Sequence, residues 1–585
     1  MWNMFKEFIP SWSELLTAFV IFCVPFSITL LTAWIRTKEG QTSGRGSRAE
    51  GAIGGGVPRG DNAGAQGQPI HASSQKSGSS KETSSASDQS NSPLVYTGDF
   101  ENNLLLFKEL SADMSDVNMR ELRIGSLNLR AVLMFVDGLT DKMGIDQNVI
   151  RPLMNAVRPF DSFEHVPEGE ELKDIIAHQI VLSAEIECTG DPRMSLQKVL
   201  FGSVVLLVEG VPEAIVLGTS KGKTRGVEEP VSEALLRGPR IGFNETLSDN
   251  TAMLRRLGQQ TELAMISFTV GRRVQKELVM TYIRDIASEE LVEEIKRRIR
   301  TVDIDDVLES GYLEQLIEDN YLSFFQQVQN TERPDRVMAA LLEGRVALLL
   351  DGSPFALIVP VTFGMLLQSP EDYYDRWLVG SLIRILRFMA AIIALFAPAL
   401  YISFLSFHPG MIPTKLAFSI VGSRQGVPFP SLVEALILEV AIEILRESGL
   451  RLPKPIGPAM GIVGGLIIGQ AAVEAGIVSP ILVIVVAVTA ISSFAIPSYS
   501  AGITLRMLRF IAMFFAGVFG LYGVVLFFLL LSSHLLKLKS FGVPYLSLSV
   551  PYRMSDWKDF IIRMPYQLLK GRPTLLKPKD PIRKG

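Results

Sequence analysis

Glycine recurs at every fourth position within one uncharged stretch of this chain. Residues 456–473 contain no charged side chain, and their glycines include Gly457, Gly461, Gly465 and Gly469. Positions four apart lie nearly above one another on a helix, so these glycines form one smooth stripe. Glycine lowers helix stability in water by about 1 kcal/mol per residue, whereas in lipid it lets a second helix approach closely. The stripe therefore predicts a tightly packed membrane assembly.

The composition divides the chain into a polar part and an apolar part. With 585 residues, 48% of them hydrophobic, and a mean hydropathy of +0.27, the chain is too long for one domain and too apolar for an ordinary soluble protein. Residues 97–380 are mixed and charged, whereas residues 385–534 are mostly compatible with lipid. The net charge of −4 gives no indication of nucleic-acid binding. Cys23 and Cys188 lie far apart, so neither a disulfide framework nor a cysteine metal site is expected.

Five uncharged stretches are long enough to cross about 30 Å of hydrocarbon as helices. They are Leu15–Trp34, Phe388–Phe407, Ile456–Val473, Val478–Ile496 and Phe510–Ser533. The first has no clear cleavage site, so we interpret it as an uncleaved anchor. Arg36 and Lys38 follow it, and Arg384 and Arg387 precede the second stretch. By the positive-inside rule, the large polar region is therefore expected in the cytoplasm.

Residues 431–447 have two interpretations. Glu439 and Glu443 gather on one face with Arg446 and Glu447. The segment is either an amphipathic helix at the membrane interface or a helix that faces a wet pore, where its glutamates attract cations. The choice decides how many times the chain crosses the bilayer.

Both ends of the chain have distinctive compositions. Residues 37–96 are rich in Gly, Ser, Gln and Ala, which predicts a flexible tether. Residues 537–584 carry eleven Lys or Arg against three Asp, which suits an anionic membrane face.

Short β-rich runs alternate with helical periods between residues 97 and 380, which predicts an α/β region. The predicted strands are Leu129–Phe135, Val204–Val208, Ala214–Leu217, Val346–Leu350 and Ala356–Val361.

An internal repeat links the two halves of this α/β region. Val205–Leu217 matches Ala347–Val359 at a constant offset of 142 residues. Each copy places an acidic residue, a glycine and a proline between two apolar runs, which is typical of a hairpin. We therefore expect two similar α/β subdomains, 97–225 and 226–380; chance similarity of two common hairpins is the alternative.

Motifs for catalysis are weak. In the run 218–224, three residues separate Gly218 from Gly222, whereas a phosphate loop has four residues between its two glycines. The five histidines are dispersed, and Asp146 is expected to cap the helix 147–154. The sequence therefore predicts no enzyme, no cofactor and no metal site.

Polar groups inside a membrane are costly and for that reason informative. Gln470 and Glu474 lie one turn apart at the end of the glycine helix. They either mark the interface and bind a neighbouring helix, or form a pore mouth. The predicted candidate residues are thus the glycine stripe with Gln470 and Glu474, either lining a pore or packing subunits, and Glu439 and Glu443 as pore or interface acids.

Several motifs spread along the chain resemble the A subunit of spore germinant receptors, the GerA family. In the polar part they are 136–141 (VDGLTD), 150–154 (IRPLM), 236–240 (LRGPR), 243–245 (FNE), 343–347 (EGRVA), 351–361 (DGSPFALIVPV) and 368–374 (QSPEDYY). In the apolar part they are 452–457 (LPKPIG), 469–476 (GQAAVEAG) and 496–499 (IPSY). The resemblance covers roughly residues 98–541, and the segments 1–36 and 37–96 lie outside it.

The resemblance implies a subunit of a nutrient-sensing complex in the inner membrane of a bacterial endospore. It implies a homo-oligomeric cation channel that works with a transporter-like, germinant-binding B subunit and a lipoprotein C subunit. Together with the pattern above, it predicts an α/β cytoplasmic region of two similar subdomains, an all-α polytopic membrane domain (381–536) in contact with membrane lipid, and a basic cytoplasmic tail (537–585). Two alternatives remain: a SpoVAF-like accessory protein that modulates ion or dipicolinic acid release, and a non-conducting membrane scaffold.

Overall fold

The computed structural model describes residues 94–97, 99–125, 128–155, 169–219, 229–230, 232–451, 457–546 and 559–583. The predicted anchor lies outside these residues. So do all but the last three residues of the predicted tether, and most of the predicted junction between the two subdomains.

The first subdomain is built on a five-stranded antiparallel sheet. Its elements are α1 (Phe100–Leu110), β1 (Val117–Ile124), β2 (Leu129–Val136), α2 (142–154, with a π turn at Asp146–Ile150), α3 (170–180, ending in a π turn at Ile176–Ile180), β3 (Ile186–Thr189), α4 (Pro192–Leu200), β4 (Val204–Val208) and β5 (Ala214–Leu217). The strand order across the sheet is β1-β2-β4-β5-β3. Strands β4 and β5 are buried along their whole length, because helices cover both faces of the sheet.

The second subdomain has the same order of elements. They are α5 (Leu247–Leu257), β6 (Leu263–Val270), β7 (Lys276–Ile283), α6 (Glu289–Arg300), α7 (Ser310–Ile317), β8 (Gln329–Thr331), α8 (Pro334–Leu341), β9 (Val346–Leu350) and β10 (Ala356–Val359), followed by the short helices α9 (Phe363–Leu367) and α10 (Glu371–Tyr374). Its strand order is β6-β7-β9-β10-β8. Two similar sheet-containing subdomains are therefore present, as the repeat predicted.

The repeated motif forms equivalent hairpins in the two sheets. β4 pairs with β5, and β9 pairs with β10, in antiparallel register. Gly210 and Gly352 occupy the two turns with φ of +84° and +83°, a conformation that L side chains rarely adopt. β10 ends at Val359, two residues before the predicted end, since Pro360 has no N–H to donate to a ladder.

The cap of α2 differs from the prediction. Asp141, rather than Asp146, is the N-cap, and its carboxylate accepts a hydrogen bond from the Met143 N–H. Asp146 lies inside the helical segment, where the π turn begins. The helix thus begins at residue 142, five residues before the predicted start at residue 147.

The two subdomains are joined by a buried ion pair. Arg255 on α5 donates from Nε and Nη2 to the two carboxylate oxygens of Asp116, at 2.7 and 2.8 Å, and from Nη1 to the Leu263 carbonyl. The side chains of Arg255 and Asp116 are 1% and 5% exposed. Beside them, Met114 and Met265 form a parallel β-bridge. These contacts fix the two sheets relative to each other.

The apolar part of the chain is helical. Its helices are α11 (Trp377–Ser406), α12 (Thr414–Ser423), α13 (Ser431–Arg451), α14 (Gly457–Glu474), α15 (Pro480–Phe494) and a helical stretch, Tyr499–Lys537, that is interrupted at Gly520. Within the described residues, Trp377–Ser406 and Tyr499–Lys537 are long and apolar enough to cross a membrane, and Pro480–Phe494 is a shorter apolar helix.

The chain reverses direction at Gly520, so the last stretch is a hairpin rather than one predicted span over Phe510–Ser533. Gly520 has φ +62° and ψ −138°, which only glycine adopts readily. The rings of Phe515 and Phe527 lie 5.8 Å apart, whereas twelve residues of straight helix would separate them by about 18 Å. We name the two arms α16 (499–519) and α17 (521–537).

Both arms meet the α/β region at the same end, which we call the domain end. Thr504 on α16 donates a hydrogen bond to the Phe324 carbonyl (2.8 Å), and His534 on α17 lies 3.0 Å from the Ser323 hydroxyl. Gly520 packs against Phe407, just beyond the end of α11, and this opposite side is the far end.

Contacts at both ends show that six helices in the described region alternate in direction: α11, α13, α14, α15, α16 and α17. At the far end Ser431, which begins α13, hydrogen-bonds to Ser406, which ends α11. Ser479, which precedes α15, is also there, because its hydroxyl binds Tyr401 at 2.9 Å. α13 thus packs lengthwise among α11, α15 and α16.

Residues after α17 return to the second subdomain. Ser540 donates to the Gln327 carbonyl, and the short strands Lys539–Ser540 and Val543–Pro544 pair beside it. In the segment 559–583, Lys577 and Lys579 bind Glu290 and Glu289 on α6. These two charges of the predicted membrane-facing tail are directed at protein carboxylates instead.

Candidate functional site

A cluster of charged side chains lies between α13 and α16 in the mostly apolar helical region. Its members are Glu439, Glu443 and Arg446 from α13, and Arg506 and Arg509 from α16; we call this cluster the charged ladder. Because the two helices are antiparallel, acids four residues apart on α13 meet arginines three residues apart on α16.

The inner rung of the ladder is fully buried. Arg509 Nη2 lies 3.0 Å from Glu439 Oε2, and both side chains are 1% exposed. The outer rung pairs Arg506 Nε with Glu443 Oε1 at 3.2 Å, and there Glu443 is 36% exposed. Arg446 binds the Ser493 hydroxyl of α15 at 2.9 Å and stacks over Phe494. The ladder therefore runs from the edge of the bundle into its interior and joins three helices.

The ladder is only partly satisfied. Within the described part of the chain, six of its buried atoms have no hydrogen-bond partner: Glu439 Oε1, Glu443 Oε2, Arg446 Nε and Nη1, and Arg509 Nε and Nη1. Two of them, Arg446 Nη1 and Glu443 Oε2, lie 3.9 Å apart as an ion pair. Buried polar atoms of this kind are costly unless water, an ion or another chain satisfies them. The ladder is thus the polar centre of the helical region.

A separate buried acid lies at the far end. Glu434 of α13 is fully buried, pairs with Arg424 at 2.5 Å and accepts the Ser479 N–H at 3.1 Å. This contact fixes the entrance to α15 against α13.

The glycine stripe is open within one chain where its surroundings are described. A Cβ built on Gly465 meets nothing within 4 Å, whereas one on Gly469 lies 3.4 Å from Val483 of α15. Gly457 and Gly461 belong to α14, but their environment lies outside the described residues. At Gly465 the stripe is therefore open with respect to the described residues of this chain.

Gln470 and Glu474 are not part of the charged ladder. Gln470 donates to Glu474 at 2.8 Å, and both are exposed. Glu474 precedes Ser479 by five residues and so lies towards the far end, whereas Glu443 lies near the domain end. The predicted residues thus form two groups at different depths. Among the described residues, no group of three or more His, Cys, Asp or Glu side chains is arranged to hold a metal ion.

A second buried charge cluster fastens the first long helix to the α/β region. Arg384 of α11, which is fully buried, lies 3.1 Å from Asp372 and 2.9 Å from Asp559. Arg387 binds the same Asp372 at 2.6 Å. The Tyr373 hydroxyl donates a hydrogen bond to Asp559. Burial raises the pKa of Tyr373 well above its ordinary value. Sequence reasoning used Arg384 and Arg387 only as topology signals and missed this junction.

Comparison with known proteins then identifies the family. The family described as Bacillus/Clostridium GerA spore germination protein matches residues 106–575. The chain belongs to the GerA family. That match spans both α/β subdomains, the helical region and most of the tail.

Individual GerA relatives are similar along most of their length. The chain is 42% identical to spore germination protein GerLA of Bacillus cereus over 82% of this chain and 97% of that protein. It is 43% identical to spore germination protein B1 of Bacillus subtilis, over 83% and 99%. It is 46% identical to spore germination protein A1 of the same organism, over 66% and 80%.

One solved structure is also similar in sequence to part of the chain. It is the N-terminal domain of the A subunit of the Bacillus megaterium spore germinant receptor GerK3, at 29% identity. The match covers 47% of this chain and 99% of that domain, with a TM-score of 0.36.

Proposed function

We propose that this GerA family member is the A subunit of a spore germinant receptor and forms a nutrient-gated cation channel. In this proposal the six alternating helices cross the inner spore membrane, and identical copies assemble around a pore. A transporter-like B subunit binds the germinant, and a lipoprotein C subunit completes the complex. The α/β region and the tail face the cytoplasm.

The observation that carries the proposal is the half-satisfied charged ladder. Six of its buried atoms form no hydrogen bond with the described residues, and such atoms are costly to bury unless water or ions satisfy them. Polar, ionisable groups inside a membrane domain commonly border a path for ions or protons. Glu443, the more exposed acid, would meet permeating cations, while the Glu439–Arg509 pair would hold α13 against α16.

The open part of the glycine stripe supports assembly of identical copies. Gly465 has free space beside it, and Ile467 and Ile468 on the same helix are 59% and 41% exposed. A helix of this kind allows close packing against a neighbouring helix in lipid. A nutrient-bound partner would then open the pore by binding one state of the assembly more tightly than the other.

Alternation of the helices supports a cytoplasmic location of the tail in this proposal. If residues 431–451 cross the membrane and the final stretch is a hairpin, six crossings return residues 538–583 to their starting side. That is the side on which Ser540 and Lys579 contact the second subdomain. In this proposal α13 can therefore cross the membrane while the tail remains in the cytoplasm.

The test is cation flux through the purified receptor reconstituted with its partner subunits in liposomes. Gly465→Leu is expected to abolish germinant-dependent flux and the cross-linked oligomer. Gly422→Leu is the matched control, because a Cβ on Gly422 of α12 also meets nothing within 4 Å. Equal flux from the two variants would contradict the role of the stripe. Absence of flux in the wild-type complex would favour a scaffold or accessory role.

A further inference from the structure

A group of exposed apolar and aromatic side chains lies on the second subdomain beside the domain end of the helices. They belong to α7 and to the segments on either side of it: Leu308, Tyr312, Leu316, Tyr321, Leu322 and Phe324. We call this group the apolar lip. Tyr321 and Phe324 are 75% and 53% exposed, which is unusual for large side chains so close together.

The segment around Phe324 lies beside α16 and α17 and not beyond their ends. The Phe324 carbonyl accepts a hydrogen bond from Thr504, and Ser323 contacts His534. Thr504 lies five residues inside α16, or about 7.5 Å along its axis. Phe325, the next residue, packs into the core of the helical region. The Phe324 end of the apolar lip therefore lies at the depth of the first turns of α16.

The lip leads directly to the exposed apolar surface of the hairpin. Met507, one turn beyond Thr504, is 57% exposed, and Phe514, two turns further, is 63% exposed. In the proposed topology this surface of α16 faces lipid. The lip is then placed where a bilayer changes from acyl chains to headgroups.

We propose that the apolar lip inserts into the interfacial layer of the membrane and anchors the second subdomain to the bilayer beside α16. This inference rests on the proposed membrane crossing of α16 and α17. Tyrosine and other amphipathic aromatic residues favour the headgroup level, because their rings are apolar and their hydroxyls remain hydrated. The occupant that fits the lip is lipid, since the lip continues the surface that lipid already covers.

Three acidic residues next to the lip, Glu314, Glu318 and Asp319, suit this location. Asp319 is paired with Arg298 at 2.7 Å. Burial raises the pKa of Glu314 to about 8 and that of Glu318 to about 7. These two carboxyls therefore carry less negative charge near neutral pH than ordinary glutamates, which lowers the cost of approaching hydrocarbon.

The experiment measures the environment of spin labels at single cysteines in the full chain. The background replaces Cys23 and the exposed Cys188 with alanine. Nitroxides are placed by Tyr321→Cys and Phe324→Cys. Leu236→Cys, a loop position that is 95% exposed, is the aqueous control, and Phe514→Cys is the lipid control. The protein is reconstituted in vesicles of phosphatidylethanolamine and phosphatidylglycerol.

Relaxation by oxygen, which concentrates in lipid, is compared with relaxation by a water-soluble nickel chelate. At the two lip positions the oxygen effect is expected to exceed the nickel effect, at a shallower depth than at residue 514. Leu236→Cys is expected to show the reverse.

Each other outcome has a distinct meaning. If residue 514 is in lipid but the lip positions respond mainly to nickel, the lip is aqueous and the inference is overturned, while the proposed topology stands. If the lip positions respond to neither reagent, another protein surface covers them and lipid is not the occupant. If residue 514 itself is aqueous, the proposed crossing of α16 fails, and the inference fails with it.

Discussion

Glu439 and Arg509 form an ion pair across two helices, with 3.0 Å between their closest oxygen and nitrogen and 1% exposure of each side chain. The two residues are 70 positions apart in the sequence. A charge removed this far from water depends on its partner, so the pair fixes α13 against α16.

Loss of one member of this pair is expected to destabilise the helical region strongly. Glu439→Gln leaves the Arg509 guanidinium without its carboxylate, at a cost of about 3–5 kcal/mol for a buried pair. Glu447→Gln is the matched control, because Glu447 pairs with Arg451 at an exposed site where such pairs contribute about 0.2–1 kcal/mol. Thermal unfolding in nanodiscs measures both. Similar melting temperatures for the two variants would contradict the buried pair.

The Arg255–Asp116 pair is expected to hold the two subdomains together. Asp116→Asn removes the carboxylate that accepts two hydrogen bonds from a guanidinium that is 1% exposed, so the loss is also expected to be about 3–5 kcal/mol. The exposed Arg237–Asp375 pair is the control, through Asp375→Asn. Hydrogen exchange is the measurement. Protection should fall along β1 and β6 in Asp116→Asn, and unchanged protection there would refute a joining role.

The turn at Gly520 makes a prediction about sidedness. Leu568 in the tail and Leu236 in the second subdomain are exposed and should lie on one side of the membrane, while Tyr522, next to the turn, should lie on the other. Cysteines at these three positions are tested with an impermeant thiol reagent in sealed vesicles. Labelling is expected to separate residue 522 from residues 236 and 568. A continuous helix through Gly520 would place residue 568 on the side of the membrane opposite residue 236 instead.

Stability of the second subdomain is expected to fall as the pH rises. Folding raises the pKa of Glu314 from 4.5 to about 8, so the folded state keeps a proton that the unfolded chain has released. The stability that this retained proton contributes is complete below about pH 4.5 and is lost as the pH approaches 8. Glu314→Gln should therefore flatten the decrease in melting temperature between pH 5 and 8. Glu290→Gln, at an exposed site on α6, should keep the wild-type slope; equal slopes for wild type and Glu314→Gln would refute the prediction.

Local sequence signals were sufficient for five of the ten strands in the two sheets, and β1, β3, β6, β7 and β8 were not predicted. Apolar runs such as Val204–Val208 are buried on both sides, and an acidic residue, glycine and proline between two runs favour only a few turns. The repeat extended further than its motif, because Pro192 and Pro334 begin equivalent helices at the same offset of 142 residues.

The helical region could not be derived in the same way. Gly520 lies in a uniformly apolar stretch, where hydropathy cannot distinguish a turn from a continuous helix, and Phe407, which packs on it, is 113 residues away. The sequence does contain a signal for the charged ladder. Two acids lie four residues apart on α13, and two arginines lie three residues apart on α16, a spacing that allows them to pair. The sequence does not show which helices are antiparallel neighbours, and the acids can pair with the arginines only if α13 and α16 are such neighbours.

The junction at the base of α11 also sets an order of events during synthesis. Arg384 meets Asp559 across 175 residues of sequence, and every helix of the apolar region is made between them. The ribosome must release that whole stretch before the last partner of Arg384 exists. In a chain that stalls before residue 559, Arg384 can pair only with Asp372, so its contact with Asp559 forms only after all the intervening helices have been made.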